Sequence, residues 1–356
     1  MYRRYPDVVE ATEATGTDSL AELLDGELAF SATTAQQLSN HLPMALVALH
    51  RLGATDARLV EFASLYRDRL APIPDADTVA TFDGWLAARG RRGSYGAVRT
   101  YLDASIVDDG VDAVVRRCVA HLADGISGAA FHGLIRLAYA LESRSDARVA
   151  AGLAYLTEVY QSLGHRGQSE PWTDDPLLAL RRLSDVEVLQ RLARSGNIGQ
   201  RMRQVAAHPS FAGVVDWLAV SRETPARLTS AAAALFAATD DFTALHAVTA
   251  SHAVHVISPF VEDTNALSAW RFQAIAAAYV TIGAPRLLSP AAGLGPWLDA
   301  PVPWDVIARA AVASDDEHVV KLAYSARELC SVSGDELLHA AAARHSGVAA
   351  GTRDCS

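Results

Sequence analysis

Cysteine is scarce and unpatterned: Cys118, Cys330 and Cys355 are the three in 356 residues. Far apart and odd in number, they exclude a disulfide framework and a CxxC zinc motif. They predict a reducing, cytoplasmic setting. An excess of basic residues is also missing. The formal net charge of -10 argues against nucleic acid or an acidic membrane surface as partner. The opening stretch MYRRYPDVVEATEA lacks the apolar run of a signal peptide. No stretch reaches the roughly 18 apolar residues that a membrane span needs. Period-two alternation is absent and β-branched residues are scattered, so no strand is predicted. No internal repeat, low-complexity segment or linker appears. Compact motifs are missing as well: no HExxH, no paired ExxH, and no GxGxxG after a strand.

What is present is helical periodicity in a chain that is 50% hydrophobic, enough to bury a large core. Alanine and leucine dominate the periodic segments, which suits close helix packing. The pattern predicts helices over Asp18–Leu28, Ser31–Leu52, Asp56–Leu70, Gly110–Leu122, Gly128–Glu142 and Asp146–Leu163. It predicts more over Asp185–Ser195, Ile198–Ala207, Phe211–Val220, Pro225–Ala238 and Asp241–Val256. The last four are Ala266–Ile282, Trp304–Ala313, Asp315–Val332 and Glu336–Ala343. Pro43 would break the second of these, unless that helix starts near Ser39 or Asn40 and holds the proline in its first turn. The fold class predicted is all-α: one multi-helix domain over 1–356, with irregular tails at 1–16 and 346–356 and a metal site among facing core helices.

Twelve histidines are present. His50, His121, His165, His208, His339 and His345 lie at helix ends, in loops or in the tail, and read as surface or capping residues. His41, His132, His246 and His318 sit inside strongly apolar helices. Each alone reads as a hydrogen-bonded core histidine. Four on four helices point instead to ligands projecting inward, as helical bundles arrange them. His252 and His255 share the helix of His246 but stand about 120° and 180° round from it, away from its site. Lys321 lies three residues after His318, about 60° away on the wheel, in the apolar run HVVKLAY. A buried lysine needs a partner or a change of charge. Deprotonated, it can add CO2 and become an anionic carbamate ligand, which would offset the charge of a metal held by neutral histidines. Glu142, Asp240, Asp241, Asp315, Asp316 and Glu317 flank these helices and read as caps and terminal charges, with one of the acidic run before His318 able to orient a ligand.

Four segments in order, NHLPMALVALHRLGA, AFHGLIRLAYALE, FTALHAVTASHA and DDEHVVKLAYSARE, resemble the questin oxidase family over about Ser31 to Leu329. That resemblance implies an oxidoreductase acting on polycyclic aromatic polyketides such as anthraquinones, described as Baeyer–Villiger-type oxidases. One branch is known as non-haem iron dioxygenases with four histidines and a carboxylated lysine on the metal. Carried over by motif, this implies Fe(II) held by His41, His132, His246, His318 and Lys321, with O2 as co-substrate. A nicotinamide requirement is known in the family, so NADPH is a conceivable reductant, though no binding motif for it is visible. Fungal members often carry histidines where this chain has Met44 and Arg136.

The catalytic set expected is His318, Lys321, Arg136 and Tyr324. Arg136 and Arg327 could hold a substrate carboxylate or phenolate, with an ion pair as the alternative role. Phe131, Tyr139, Phe242, Trp270, Tyr279 and Tyr324 could line a pocket or simply fill the core. The expected function is oxygen insertion or C–C cleavage in an anthrone-like hydroquinone. The alternatives are a metal-dependent hydrolase or cyclase on the same fold, and a non-catalytic helical scaffold.

Overall fold

Pro43 sits in the first turn of its helix, and the chain before it is irregular, so the predicted Ser31–Leu52 helix is only its second half. The computed structural model describes residues 19–351, apart from 76, 168–169, 192–194 and 286–293. Among these residues there are isolated β-bridges but no strand, and the helices pack into one domain. They run α1 (Ser19–Glu27), α2 (Leu42–Arg51), α3 (Asp56–Tyr66), α4 (Phe82–Ala87), α5 (Tyr95–Asp109) and α6 (Val111–Leu122). Next come α7 (His132–Glu142), α8 (Asp146–Glu158), α9 (Pro176–Ser184), α10 (Glu187–Gln190), α11 (Ile198–Ala206) and α12 (Thr224–Thr239). The rest are α13 (Phe242–Ile257), α14 (Thr264–Thr281), α15 (Gly295–Asp299), α16 (Trp304–Ala313), α17 (Glu317–Ser333) and α18 (Glu336–His345). Among the described residues no helix is long and apolar enough to cross a membrane.

Several boundaries differ from the sequence expectation. Phe211–Val220 is not a helix. Pro209–Phe211 and Val214–Asp216 are separate 3-10 turns, with Gly213 between them. The predicted Gly128 start of α7 is displaced to His132 by a left-handed turn. Helix α8 stops at Glu158 rather than Leu163. Helices α4, α5, α9 and α15 were not anticipated. For α5 the signal was present: its buried residues Tyr95, Val98, Leu102 and Ile106 follow helical spacing. Glycines and arginines around them masked it. The tail 1–16, Cys355 and the end of the chain fall outside the described residues.

Four helices form a closed ring. Helix α2 packs on α7, α7 on α13, α13 on α17, and α17 back on α2. Glycines set how closely α8 backs α7: a Cβ on Gly152 would lie 2.8 Å from Leu137 Cα, and one on Gly133 2.9 Å from Leu156 Cα. Helix starts are fixed by carboxylate caps. Asp241 accepts from Thr243 N and Asp316 from His318 N. Gly334, with φ 67°, ends α17 in a left-handed conformation that glycine adopts without penalty.

A buried ion pair anchors the entry to α2. Arg136 Nη2 donates to both oxygens of Glu27 at 2.7 and 2.9 Å, and both side chains are almost fully enclosed. Asn40 Nδ2 donates to the same carboxylate, and Arg136 Nη1 donates to the Asn40 carbonyl. This network fixes the residue before His41. The guanidinium proposed for substrate binding is therefore committed to Glu27. Arg136→Ala should destabilise the fold by about 3–5 kcal/mol, because Glu27 would keep a buried, unpaired charge. Urea unfolding of the metal-free protein measures it. A loss below about 1 kcal/mol would contradict the anchoring role.

Candidate metal centre

The four ring helices bring their N-terminal ends together, and each supplies one histidine. His41 is the N-cap of α2, His132 the first residue of α7, His246 lies in the second turn of α13, and His318 is the second residue of α17. The His41 and His132 rings stack at 4.5 Å. His41 to His318 is 4.8 Å, His132 to His246 is 4.7 Å, and His246 to His318 is 5.5 Å between centroids. Ligand atoms of His41, His132 and His318 all lie within 4.8 Å of one another. Phe242, half-exposed, lies edge-on to His246 and His318 at 4.6 and 4.5 Å and covers the cluster on its solvent side. Of the aromatics proposed to line a pocket, it is the one that touches these rings.

Each histidine is oriented through Nδ1. In His132 it donates to the Ala129 carbonyl at 2.6 Å, and in His246 to the Phe242 carbonyl at 2.7 Å. His41 Nδ1 meets Glu317 Oε1 at 3.2 Å, and His318 Nδ1 meets Asp316 Oδ1 at 3.1 Å. An acceptor at Nδ1 fixes the tautomer and leaves a lone pair on Nε2. The Nε2 atoms of His132, His246 and His318 are buried with no hydrogen-bond partner. Leaving such groups unpaired costs about 1–3 kcal/mol each, a cost without return in a purely structural core. These orphaned donors fit a transition-metal ion, and neutral imidazoles suit iron, zinc, copper or nickel. The acidic run expected to cap α17 does so, and two of its members also orient His41 and His318.

Lys321 is 1% exposed. Among the described residues no carboxylate reaches ion-pair distance from it. Burial pulls its amine down to about 8, with Glu317 and Asp316 opposing that shift. Burial also keeps all four histidines below their ordinary range, and the Lys321 charge pushes each in the same direction. His246 falls to about 3. Lys321 therefore belongs to the same electrostatic unit as the four rings.

The turn before His132 is strained. Ala129, Ala130 and Phe131 hold φ values of 48°, 55° and 69°, in the left-handed region that non-glycine residues avoid. This turn places the Ala129 carbonyl under His132 Nδ1. Nothing in the sequence AAF signals it.

The remaining expected residues lie elsewhere. Tyr324 donates to Glu142 Oε1 at 2.8 Å, and Tyr139 sits beside it, so both face away from the histidine cluster. Arg327 donates to the Arg51 carbonyl and stacks over Tyr324. Tyr279 donates to the Pro285 carbonyl, and Trp270 is a half-buried packing residue. Phe131 is buried behind His132 in the core. His252 was passed over in the sequence but is buried, 3.2 Å from Glu142.

The sequence pattern of the questin oxidase-like family matches residues 38–326, which include all four histidines and Lys321. The chain belongs to the questin oxidase-like family. Membership implies an oxidoreductase. None of the curated proteins compared matches this questin oxidase-like chain.

Two outcomes follow from the site. Ala130→Gly should raise the stability of the metal-free protein by up to about 1 kcal/mol, by relieving left-handed strain. It should weaken metal affinity as His132 loosens. Thermal melts and chelator competition read the two effects separately. The depressed histidines carry a pH signature. The unfolded chain takes up protons below the ordinary 6.5, while the folded chain resists. Stability of the metal-free protein should thus fall as pH drops from 6.5 towards 3. Urea midpoints over that range check the slope.

Proposed function

We propose that the protein is a non-haem iron oxygenase that inserts oxygen into, or cleaves a C–C bond of, a polycyclic aromatic polyketide of the anthrone or anthraquinone-hydroquinone class. The observation that carries the reading is the cluster of four Nδ1-anchored imidazoles, three of which, His132, His246 and His318, have buried Nε2 atoms left without partners. His41, His132, His246 and His318 would hold the metal. Iron bound there would supply the one-electron chemistry that lets O2 react with a closed-shell aromatic ring.

The protein's own groups define the rest. Four helix N-termini face the centre, each worth roughly half a positive charge. They keep the imidazoles neutral and oppose a bare cation, so an anionic ligand is needed. Lys321 can provide it: its neutral amine forms an N–C bond to CO2 and releases a proton, leaving a carbamate oxygen. A pKa near 8 makes the neutral amine accessible in mild alkali. The same N-termini favour the phenolate over the phenol form of a substrate. An ionised hydroquinone is electron-rich and can itself provide the reducing electrons, without a nicotinamide site. Phe242 can stack on the flat ring from the solvent side. Asp316 and Glu317 hold their histidines in register as charge changes.

Metal analysis of purified wild-type protein should find iron near one equivalent per chain, lost by at least about tenfold in His318→Ala and Lys321→Ala. Full iron content in both variants would sink the assignment. Iron affinity should fall in CO2-free buffer, recover with added bicarbonate, and rise with pH through about 8. Affinity indifferent to bicarbonate would leave Lys321 without its role as carbamate. Oxygen consumption dependent on an anthraquinone hydroquinone would then distinguish an oxygenase from a metal-dependent hydrolase.

A further inference from the structure

The helices that carry the histidines carry a second buried polar cluster further along. Tyr139 and Glu142 follow His132 on α7, His252 follows His246 on α13, and Tyr324 and Ser325 follow His318 on α17. Six to ten residues at 1.5 Å per residue place this cluster about 9–15 Å along the ring from the ligands. Glu142 Oε1 accepts from the Tyr324 hydroxyl at 2.8 Å and lies 3.2 Å from His252 Nε2. Its other oxygen, Oε2, is enclosed and unpartnered. His252 Nδ1 is 3.5 Å from Ser325 Oγ, which is 3.4 Å from the Tyr139 hydroxyl. The three rings touch one another: Tyr139 to Tyr324 is 5.7 Å, His252 to Tyr324 5.2 Å, and Tyr139 to His252 5.8 Å. Tyr139, His252 and Tyr324 are 1–2% exposed. Outward, the Arg327 guanidinium lies over the Tyr324 ring at 5.8 Å and reaches the surface beside Arg51.

A plain core would fill these positions with Phe and Leu. Two tyrosines, a histidine and a carboxylate in mutual contact instead combine an oxidisable phenol with a ready proton acceptor. Burial and the Glu142 charge push the Tyr324 phenol upward, so it does not ionise unaided. Burial would raise Glu142 too, but His252 and Tyr324 together hold its carboxyl below the usual value, so it stands ionised. Arg51, Glu328 and His255 are the other charged or titratable groups around it, and Arg327 lies over the Tyr324 ring.

We propose that Tyr139, Tyr324, Glu142 and His252 form a redox relay that draws oxidising equivalents from the histidine centre to the protein surface. This rests on the oxygenase reading, because the oxidant is the centre after it has met O2 with no organic substrate present. In the step, Tyr324 loses one electron to that oxidant, through Tyr139. Its O–H bond breaks and the proton forms an O–H bond on Glu142. A soluble one-electron reductant such as ascorbate then returns the electron at the Arg327 side, and Glu142 returns the proton. The net result is one electron carried from reductant to centre, with Tyr324 and Glu142 restored. The relay protects the ligand histidines from oxidation and lets an external reductant act without a binding pocket.

The test has two arms, each with melts to confirm folding. Metal-free protein is oxidised by a flash-generated ruthenium(III) complex, and iron-loaded protein is exposed to O2 alone and freeze-quenched. Electron paramagnetic resonance should show a tyrosyl radical in both. Tyr324→Phe should reduce the signal several-fold, and Glu142→Gln, which keeps the hydrogen-bond acceptor but removes the base, should also lower it. Peptide mass spectrometry should find several-fold more oxidised ligand histidine in Tyr324→Phe after O2. A full radical signal in folded Tyr324→Phe, or an unchanged one in Glu142→Gln, would overturn the relay. A normal flash signal in a wild-type protein that takes up no iron would instead overturn the oxygenase reading, and with it the relay's connection to a metal.

Discussion

Everything at the centre depends on four imidazoles being held by their Nδ1 atoms. Two acceptors are backbone carbonyls and two are carboxylates. Each leaves Nε2 as the free donor and sets the plane of its ring. The carbonyl acceptors are locked by helix geometry, since Phe242 lies one turn before His246 and Ala129 is held by the left-handed turn. The carboxylates belong to the capping run of α17, so the residues that start that helix also aim His41 and His318. Cap, ligand orientation and helix packing are one set of contacts and cannot be altered separately.

Stability and function pull against each other here. Orphaned nitrogens, a buried lysine with no carboxylate at ion-pair distance among the described residues, and three left-handed residues are each unfavourable to the fold. The large apolar core and the Glu27–Arg136 anchor offset them. The second cluster is better satisfied: every member but Glu142 Oε2 has a polar neighbour. The two clusters thus differ in kind. In the first, three buried Nε2 atoms have no protein partner among the described residues, whereas the second keeps its hydrogen bonds within the protein.

Much of this was legible in the sequence. Apolar periodicity gave the long helices, and histidines in apolar helical runs picked out His41, His132, His246 and His318 because burial of a polar ring is unusual. Lys321 stood out for the same reason. Arg136 and Tyr324 were misplaced because helical spacing says which face a residue shares but not which partner arrives from a distant segment. Glu27, the partner of Arg136, sits 109 residues away. His252 was set aside correctly from the first site by its angle to His246, yet its pairing with Glu142 has no sequence signal. The left-handed turn before His132 is invisible because alanine usually extends a helix. Pro43 shows the opposite case, where a single residue fixed a helix start that hydrophobic pattern alone overran.

The contact between His41 and Glu317 spans 276 residues of chain. It has a consequence for biosynthesis. A ribosome must deliver α17 before His41 gains its acceptor and before His318 and Lys321 exist at all. A nascent chain that ends before α17 carries His41, His132 and His246 but lacks His318, Lys321 and the Glu317 acceptor of His41. Contacts of such long sequence separation also form late in folding, because loop closure must be completed first. The complete four-histidine arrangement is thereby deferred to the finished molecule, where the spacing of four helix ends, rather than the order of synthesis, sets its geometry.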